Sequence, residues 1–154
     1  MRALVPLLPL LLLLPGSPAL SGCDSQAAGC TSSDDFATED ITPEGTTLGA
    51  TAEAGSCVTV SYVGRLAATG EVFDEGTDLP PFFVAPGSGV VEGFALGVSG
   101  QRVGQTRRVT VPPRLGYGSR ERSRNGEVII PSCSTLEFDI TLVRVNQDTR
   151  LCTG

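Results

Sequence analysis

Apolar and polar positions alternate most regularly in "STLEFDITLVRV", residues 134–145. Leu136, Phe138, Ile140 and Leu142 share one side, and Glu137, Asp139 and Thr141 share the other. This is the two-residue period of a half-buried strand. "CVTVSYVG", residues 57–64, alternates in the same way, with Val58, Val60 and Tyr62 on one face and Thr59 and Ser61 on the other. "RLAATGEVFD" turns at Thr69-Gly70 and returns, which predicts a hairpin whose second strand ends at Gly76. "TRRVTV", residues 106–111, reads as a strand stopped by Pro112-Pro113. The period changes in "VVEGFALGVSG", residues 90–100, where Val91, Phe94, Ala95 and Val98 fall at helical spacing and Gly100 ends the run. One short helix among several antiparallel strands predicts an α+β fold.

The chain on either side is different in kind. Residues 24–53 are rich in Ser, Ala, Gly and Thr. They also carry Asp24, Asp34, Asp35, Glu39, Asp40, Glu44 and Glu53. That composition predicts an acidic flexible tether, with a first strand near its end. Upstream, Arg2 followed by the apolar run Ala3–Leu14 reads as a secretory signal, too short to span a bilayer. Leu20-Ser21-Gly22-Cys23 resembles the lipobox of bacterial lipoproteins. The resemblance implies cleavage before Cys23 and lipid on its sulfur and amino group. The expected divisions are a signal at 1–22, a tether at 23–53, a folded domain at 54–147 and a C-terminal tail at 148–154. The expected place is outside the cytoplasm, lipid-anchored to a bacterial membrane of the cell envelope.

Composition narrows the chemistry. The chain contains no histidine, which removes Ser-His-Asp and Cys-His catalysis and any His-containing zinc site. The net charge of −6 argues against nucleic acid as a partner. With Cys23 set aside, Cys30, Cys57, Cys133 and Cys152 remain. An even number in an exported chain predicts two disulfides, with three possible connectivities. No Cys-x-x-Cys spacing suggests a metal cluster.

Four stretches in register carry a family likeness: "VTVSYVGRL", "TGEVFDEG", "GSGVVEGFALGVSGQRVGQTRRVTVPPRLGYG" and "VIIPSCSTLEFDITLVRV". Together they resemble the FKBP-type peptidyl-prolyl cis-trans isomerases, over about residues 55–146. The fold this implies is a twisted antiparallel β-sheet wrapped around one short α-helix, with an apolar pocket between the two. The family's pocket residues fall on Tyr62, Phe73, Asp74, Val91, Phe94, Tyr117 and Phe138, with Phe83, Val90 and Ile129 as further substrate-binding positions. Taken in isolation Val90, Val91, Phe94 and Phe138 are ordinary core residues, and Asp74, next to Phe73 in a strand, belongs on the solvent face.

The resemblance also implies that the strand begun by Cys57 runs beside the last strand. That favours Cys57–Cys152 with Cys30–Cys133. Phe94 falls where the family usually has tryptophan. The loop "FDEGTDLPPFF" is short, and Pro81 takes a position that often holds an aromatic. The flap between Tyr117 and Ile129 is long and carries Arg120, Arg122 and Arg124. The implied activity is cis/trans isomerisation of Xaa-Pro bonds in exported proteins, by a monomer needing no cofactor and no metal. Macrolide inhibitors are possible ligands. A non-catalytic proline-peptide-binding module or holdase on the same fold is the alternative.

Overall fold

The computed structural model describes residue 30 and residues 35–152. Among these described residues there are eight strands: β1 (Ala37–Asp40), β2 (Cys57–Leu66), β3 (Val72–Gly76), β4 (Phe82–Phe83), β5 (Thr106–Val111), β6 (Arg122–Arg124), β7 (Glu127–Ile130) and β8 (Leu136–Asn146). One helix, α1 (Glu92–Val98), lies between β4 and β5. Six strands form one antiparallel sheet in the order β1-β5-β8-β2-β3, with β4 also paired to β2. The hairpin β6–β7 stands apart from it. This is the α+β plan the periodicities predict.

The inward positions of β8 meet α1. Leu136, Ile140 and Leu142 are completely buried, and Phe138 nearly so, together with Val58 and Val60 of β2 and Val109 and Val111 of β5. The helix packs closely on β5 because Gly93 and Gly97 face that strand. A Cβ on Gly93 would lie 2.4 Å from Val111 Cγ1, and one on Gly97 would lie 2.5 Å from Val109 Cγ2. Both distances are far inside van der Waals contact. Helical spacing of large apolar residues identifies α1, but the two glycines set its depth.

The start of β2 is buried on both faces. Thr59 accepts a hydrogen bond from Asn146 Nδ2 at 3.1 Å, and Cys57 is joined to Cys152 with Cα atoms 5.8 Å apart. A bulge between Thr59 and Val60 leaves Val143 of β8 unpaired, which resets the alternation at the end of that strand. The second disulfide joins Cys30 to Cys133.

The tether expected over residues 23–53 is corrected from residue 35 onward. β1 pairs with β5 from Ala37↔Thr110 to Asp40↔Arg107, and so lies in the middle of that stretch. The chain after it stays attached: Gly49 N–H donates to Val103 O and Ala52 N–H to Gln101 O, both at 2.8 Å. All four residues of β1 are exposed. The strand is held by its backbone pairing and by Asp40, which accepts from Gln105 Nε2 at 2.8 Å, and it adds no apolar side chain to the core. Its side chains therefore have the composition of a linker. The signal segment and Cys23 lie outside the described residues. No helix among the described residues is long and apolar enough to cross a membrane.

On the outer face, one carboxylate links three strands. Asp139 of β8 accepts from Arg65 of β2 at 2.9 Å and from Arg108 of β5 at 2.7 and 2.9 Å. The Arg108 hydrogen bonds hold the Asp139 carboxyl below its ordinary value of 3.8, against the opposing effect of burial. A carboxyl depressed on folding contributes stability above its unfolded pKa and loses it as pH falls through the folded value. Asp139→Asn is expected to cost about 1–2 kcal/mol at neutral pH. The gap from the parent should begin to narrow as pH drops below about 4, where the unfolded chain's carboxyl takes up a proton, and should close only as pH falls through the lower folded-state value. Urea unfolding at pH 7 and pH 3 checks this.

Candidate active site

A cavity of about 540 Å³ opens between α1, β2, β3, β8 and the segment after β5. Four aromatic rings, Tyr62, Phe73, Phe94 and Phe138, build its floor and near wall, and Phe82 packs behind Phe94. Phe94 is central, 5.1 Å from Phe138, 5.4 Å from Tyr62 and 6.0 Å from Phe82 between ring centroids. Phe73 meets Phe138 edge-on at 5.7 Å. The perpendicular pairs place ring edges against ring faces, the arrangement the aromatic quadrupole favours. Gly64 makes room for this contact, since a Cβ there would lie 2.7 Å from Phe73 Cζ and 2.9 Å from Phe138 Cε1.

Phe73 and Asp74 both line the cavity although they are neighbours in one strand. The cause is a β-bulge. Opposite β2, Gly64 pairs with Asp74 and Arg65 with Val72, so Phe73 is the extra, unpaired residue. A bulge breaks the strict alternation and re-aims a side chain. Asp74 is then held from two sides. Tyr62 donates its hydroxyl to Oδ2 at 2.6 Å, and Arg124 of β6 lies 3.7 Å from Oδ1. Burial first, and then the bond to Asp74, push the Tyr62 hydroxyl well above its ordinary value of 10.0. Tyr62 therefore remains a donor throughout the physiological range.

Val90 and Val91 form the rim where the chain enters α1. Val91 is the residue before the first helical one. Its N–H precedes the intrahelical ladder and is available to a bound carbonyl. Tyr117 forms the opposite wall, its ring covered by the Arg122 guanidinium 4.5 Å from the centroid, a cation–π contact.

Tyr62, Phe73, Asp74, Val90, Val91, Phe94, Tyr117 and Phe138 thus border one cavity. Phe83 and Ile129 do not. Phe83 pairs with Cys57 and Phe82 with Val58. Neighbours in a strand face opposite ways, so Phe82 is the residue buried against Phe94, and Phe83 points away. Ile129 packs partly buried against the core from β7 without reaching the cavity. Leu79, Pro113 and Arg114 line it without having been singled out in the sequence. Pro113 and Arg114 lie in a 3₁₀ turn, Pro113–Leu115, that follows the strand β5 and leads into Gly116 and Tyr117. Leu79 lies in an irregular loop whose sequence carries no period.

A family model for FKBP-type peptidyl-prolyl cis-trans isomerases matches residues 49–143. The chain belongs to that family. It is 46% identical over 96 residues to FK506-binding protein 3 of Candida albicans, a match covering 62% of this chain and 21% of the relative. It is 40% identical over 98 residues to peptidyl-prolyl cis-trans isomerase FKBP53 of Arabidopsis thaliana, covering 63% and 20%. The chain therefore matches about one fifth of the length of these curated relatives. Among solved structures, a peptidyl-prolyl cis-trans isomerase from Pseudomonas syringae superposes with a TM-score of 0.59 at 28% identity, over 75% of this chain and 78% of that one.

Proposed function

We propose that the chain accelerates cis/trans isomerisation of Xaa-Pro bonds in exported polypeptides. The observation that carries this is the ring-floored cavity with Phe73 and Asp74 both turned into it. Rotation about a peptide bond must break amide resonance, against a barrier of about 18–20 kcal/mol. For Xaa-Pro both isomers are populated, yet they exchange over tens of seconds or longer. Catalysis here moves no proton and forms no covalent bond. It requires a site that favours the twisted imide over the planar one.

The twisted imide has lost the charge separation of the planar amide. An apolar, water-poor site therefore favours it. Phe73, Phe94, Phe138 and Val91 supply that medium, and the proline ring rests over Phe94. The Val91 N–H and the Tyr117 hydroxyl hold the flanking carbonyls. Asp74, fixed by Tyr62 and Arg124, places its field beside the rotating carbonyl and acts as no general base.

In the same reading the chain is a lipoprotein, anchored through Cys23 on the outer side of a bacterial membrane. The Leu20-Ser21-Gly22-Cys23 run supports this. So do the two disulfides, which suit an oxidising compartment. The curated relatives named above come from a yeast and a plant, and the solved bacterial isomerase supports only the fold and family, so the bacterial lipoprotein reading rests on the chain's own residues. Labelling of expressed cells with a radioactive fatty acid tests the anchor: label in the parent and none in Cys23→Ser supports it, and an unlabelled parent removes it.

Refolding of a substrate protein limited by a proline isomerisation tests the activity. At substoichiometric amounts the slow phase should speed up several-fold. Suppressed aggregation with an unchanged slow phase would instead identify a holdase.

A further inference from the structure

We infer that the cavity selects acidic proline segments, in which a glutamate or aspartate flanks the proline. The inference rests on the isomerase reading of the same site and names its substrate class. Four of the chain's eleven arginines gather at this one opening. Arg114, Arg120 and Arg122 line the cavity, and Arg124 stands beside Asp74. Among the described residues that line it, the one carboxylate is Asp74, already engaged by Tyr62 and Arg124. It leaves the charge of Arg120 and Arg122 uncancelled. Glu121 and Glu127, on the same flap, are exposed and do not border the cavity.

The arrangement differs from a solvated charge run spread along a loop. The β6–β7 hairpin turns at Asn125-Gly126, both at positive φ, and its pairing with Ile130 fixes the start of β6, where Arg122 lies over the Tyr117 ring. Stacked on that ring at 4.5 Å, Arg122 is held next to the hydroxyl that would take a substrate carbonyl. Its planar fork suits a carboxylate better than a lysine ammonium would. The chain's net charge of −6 opposes acidic partners at long range. Salt confines that repulsion to about 8 Å under physiological conditions. The local cluster therefore decides the sign of the field at the opening.

The test measures binding and cis/trans exchange for blocked proline peptides carrying Glu, Gln or Leu immediately before or after the proline. The parent chain and an Arg120→Gln/Arg122→Gln variant are compared. Glu should be preferred over its neutral isostere Gln by about fivefold at low salt, the scale of two exposed ion pairs. The preference should shrink towards one near about 0.5 M salt, where screening is short-ranged. It should also collapse in the double variant. The Glu/Gln ratio is internal to each protein, so a general loss of binding does not imitate the result.

Equal handling of Glu and Gln at both positions, with the Leu peptide still accelerated, would overturn the inference and leave the isomerase reading standing. A Glu preference undiminished in the double variant would also overturn it. Selective binding of Glu peptides without accelerated exchange would support the selectivity and remove the isomerase reading instead.

Discussion

Phe94→Ala is expected to abolish most catalysis and to lower stability by about 3–5 kcal/mol, the range for truncating a buried aromatic. Phe94 is 3% exposed and touches three other rings. Its removal leaves both a cavity in the core and a gap in the floor. Phe94→Leu separates the two losses. Leucine keeps much of the volume, so stability should fall by less than about 1.5 kcal/mol. The ring-edge contacts and the flat floor are lost, which should lower kcat/KM by about 10–100-fold. Urea unfolding gives the first quantity and peptide exchange the second. Leucine at full activity would show that the floor needs bulk and not a ring.

Loss of the Cys57–Cys152 disulfide is expected to have a large effect on stability. The bond links residues 95 apart in sequence. A loop of that size corresponds to about 4–5 kcal/mol of denatured-state entropy. Cys57→Ala/Cys152→Ala should therefore lower Tm by about 10–20 °C for a domain of this size. The cost is structural as well as entropic. Cys57 begins β2, the strand paired with β3, β4 and β8. Without the bond, the segment after β8, including the 3₁₀ turn Thr149–Leu151, loses its link to the sheet. Thermal unfolding of the variant in parallel with the parent, with and without reductant, checks this. A parent whose Tm is insensitive to reductant after full thiol release would count against it.

The long strands and α1 were legible because a one-sided core imposes a period on the sequence. Leu136, Phe138, Ile140 and Leu142 face inward, so they had to alternate with polar residues. Where the backbone leaves the regular period, the residues alone pointed the wrong way. Phe73 and Asp74 share a cavity because of the bulge at Phe73, and alternation puts them on opposite faces. Only the order of motifs, taken as a family likeness, placed them together.

β1 was hidden for the opposite reason, since an edge strand with four exposed residues carries no apolar side. The β6–β7 hairpin falls in the same class. Arg-Ser-Arg offers no hydrophobic face, and the Asn125-Gly126 turn was the usable signal. Phe82 and Phe83 could not be ranked by type, because both are phenylalanine. The pairing of β4 with the start of β2 decides which one reaches Phe94.

The central claim is that this cavity catalyses Xaa-Pro rotation without a nucleophile or a proton transfer. Exchange NMR on a short Leu-Pro peptide tests it most directly, with the oxidised full chain and its Asp74→Ala and Tyr117→Phe variants side by side. Clear acceleration by the parent is expected. Each variant should accelerate about 3- to 30-fold less, the loss of one hydrogen bond or one oriented charge. The parent's rate should stay flat between about pH 6 and 8, because no titrating group is used. A folded, disulfide-intact parent that leaves the exchange rate unchanged would contradict the account. So would full activity in both variants, which would place catalysis elsewhere on the chain.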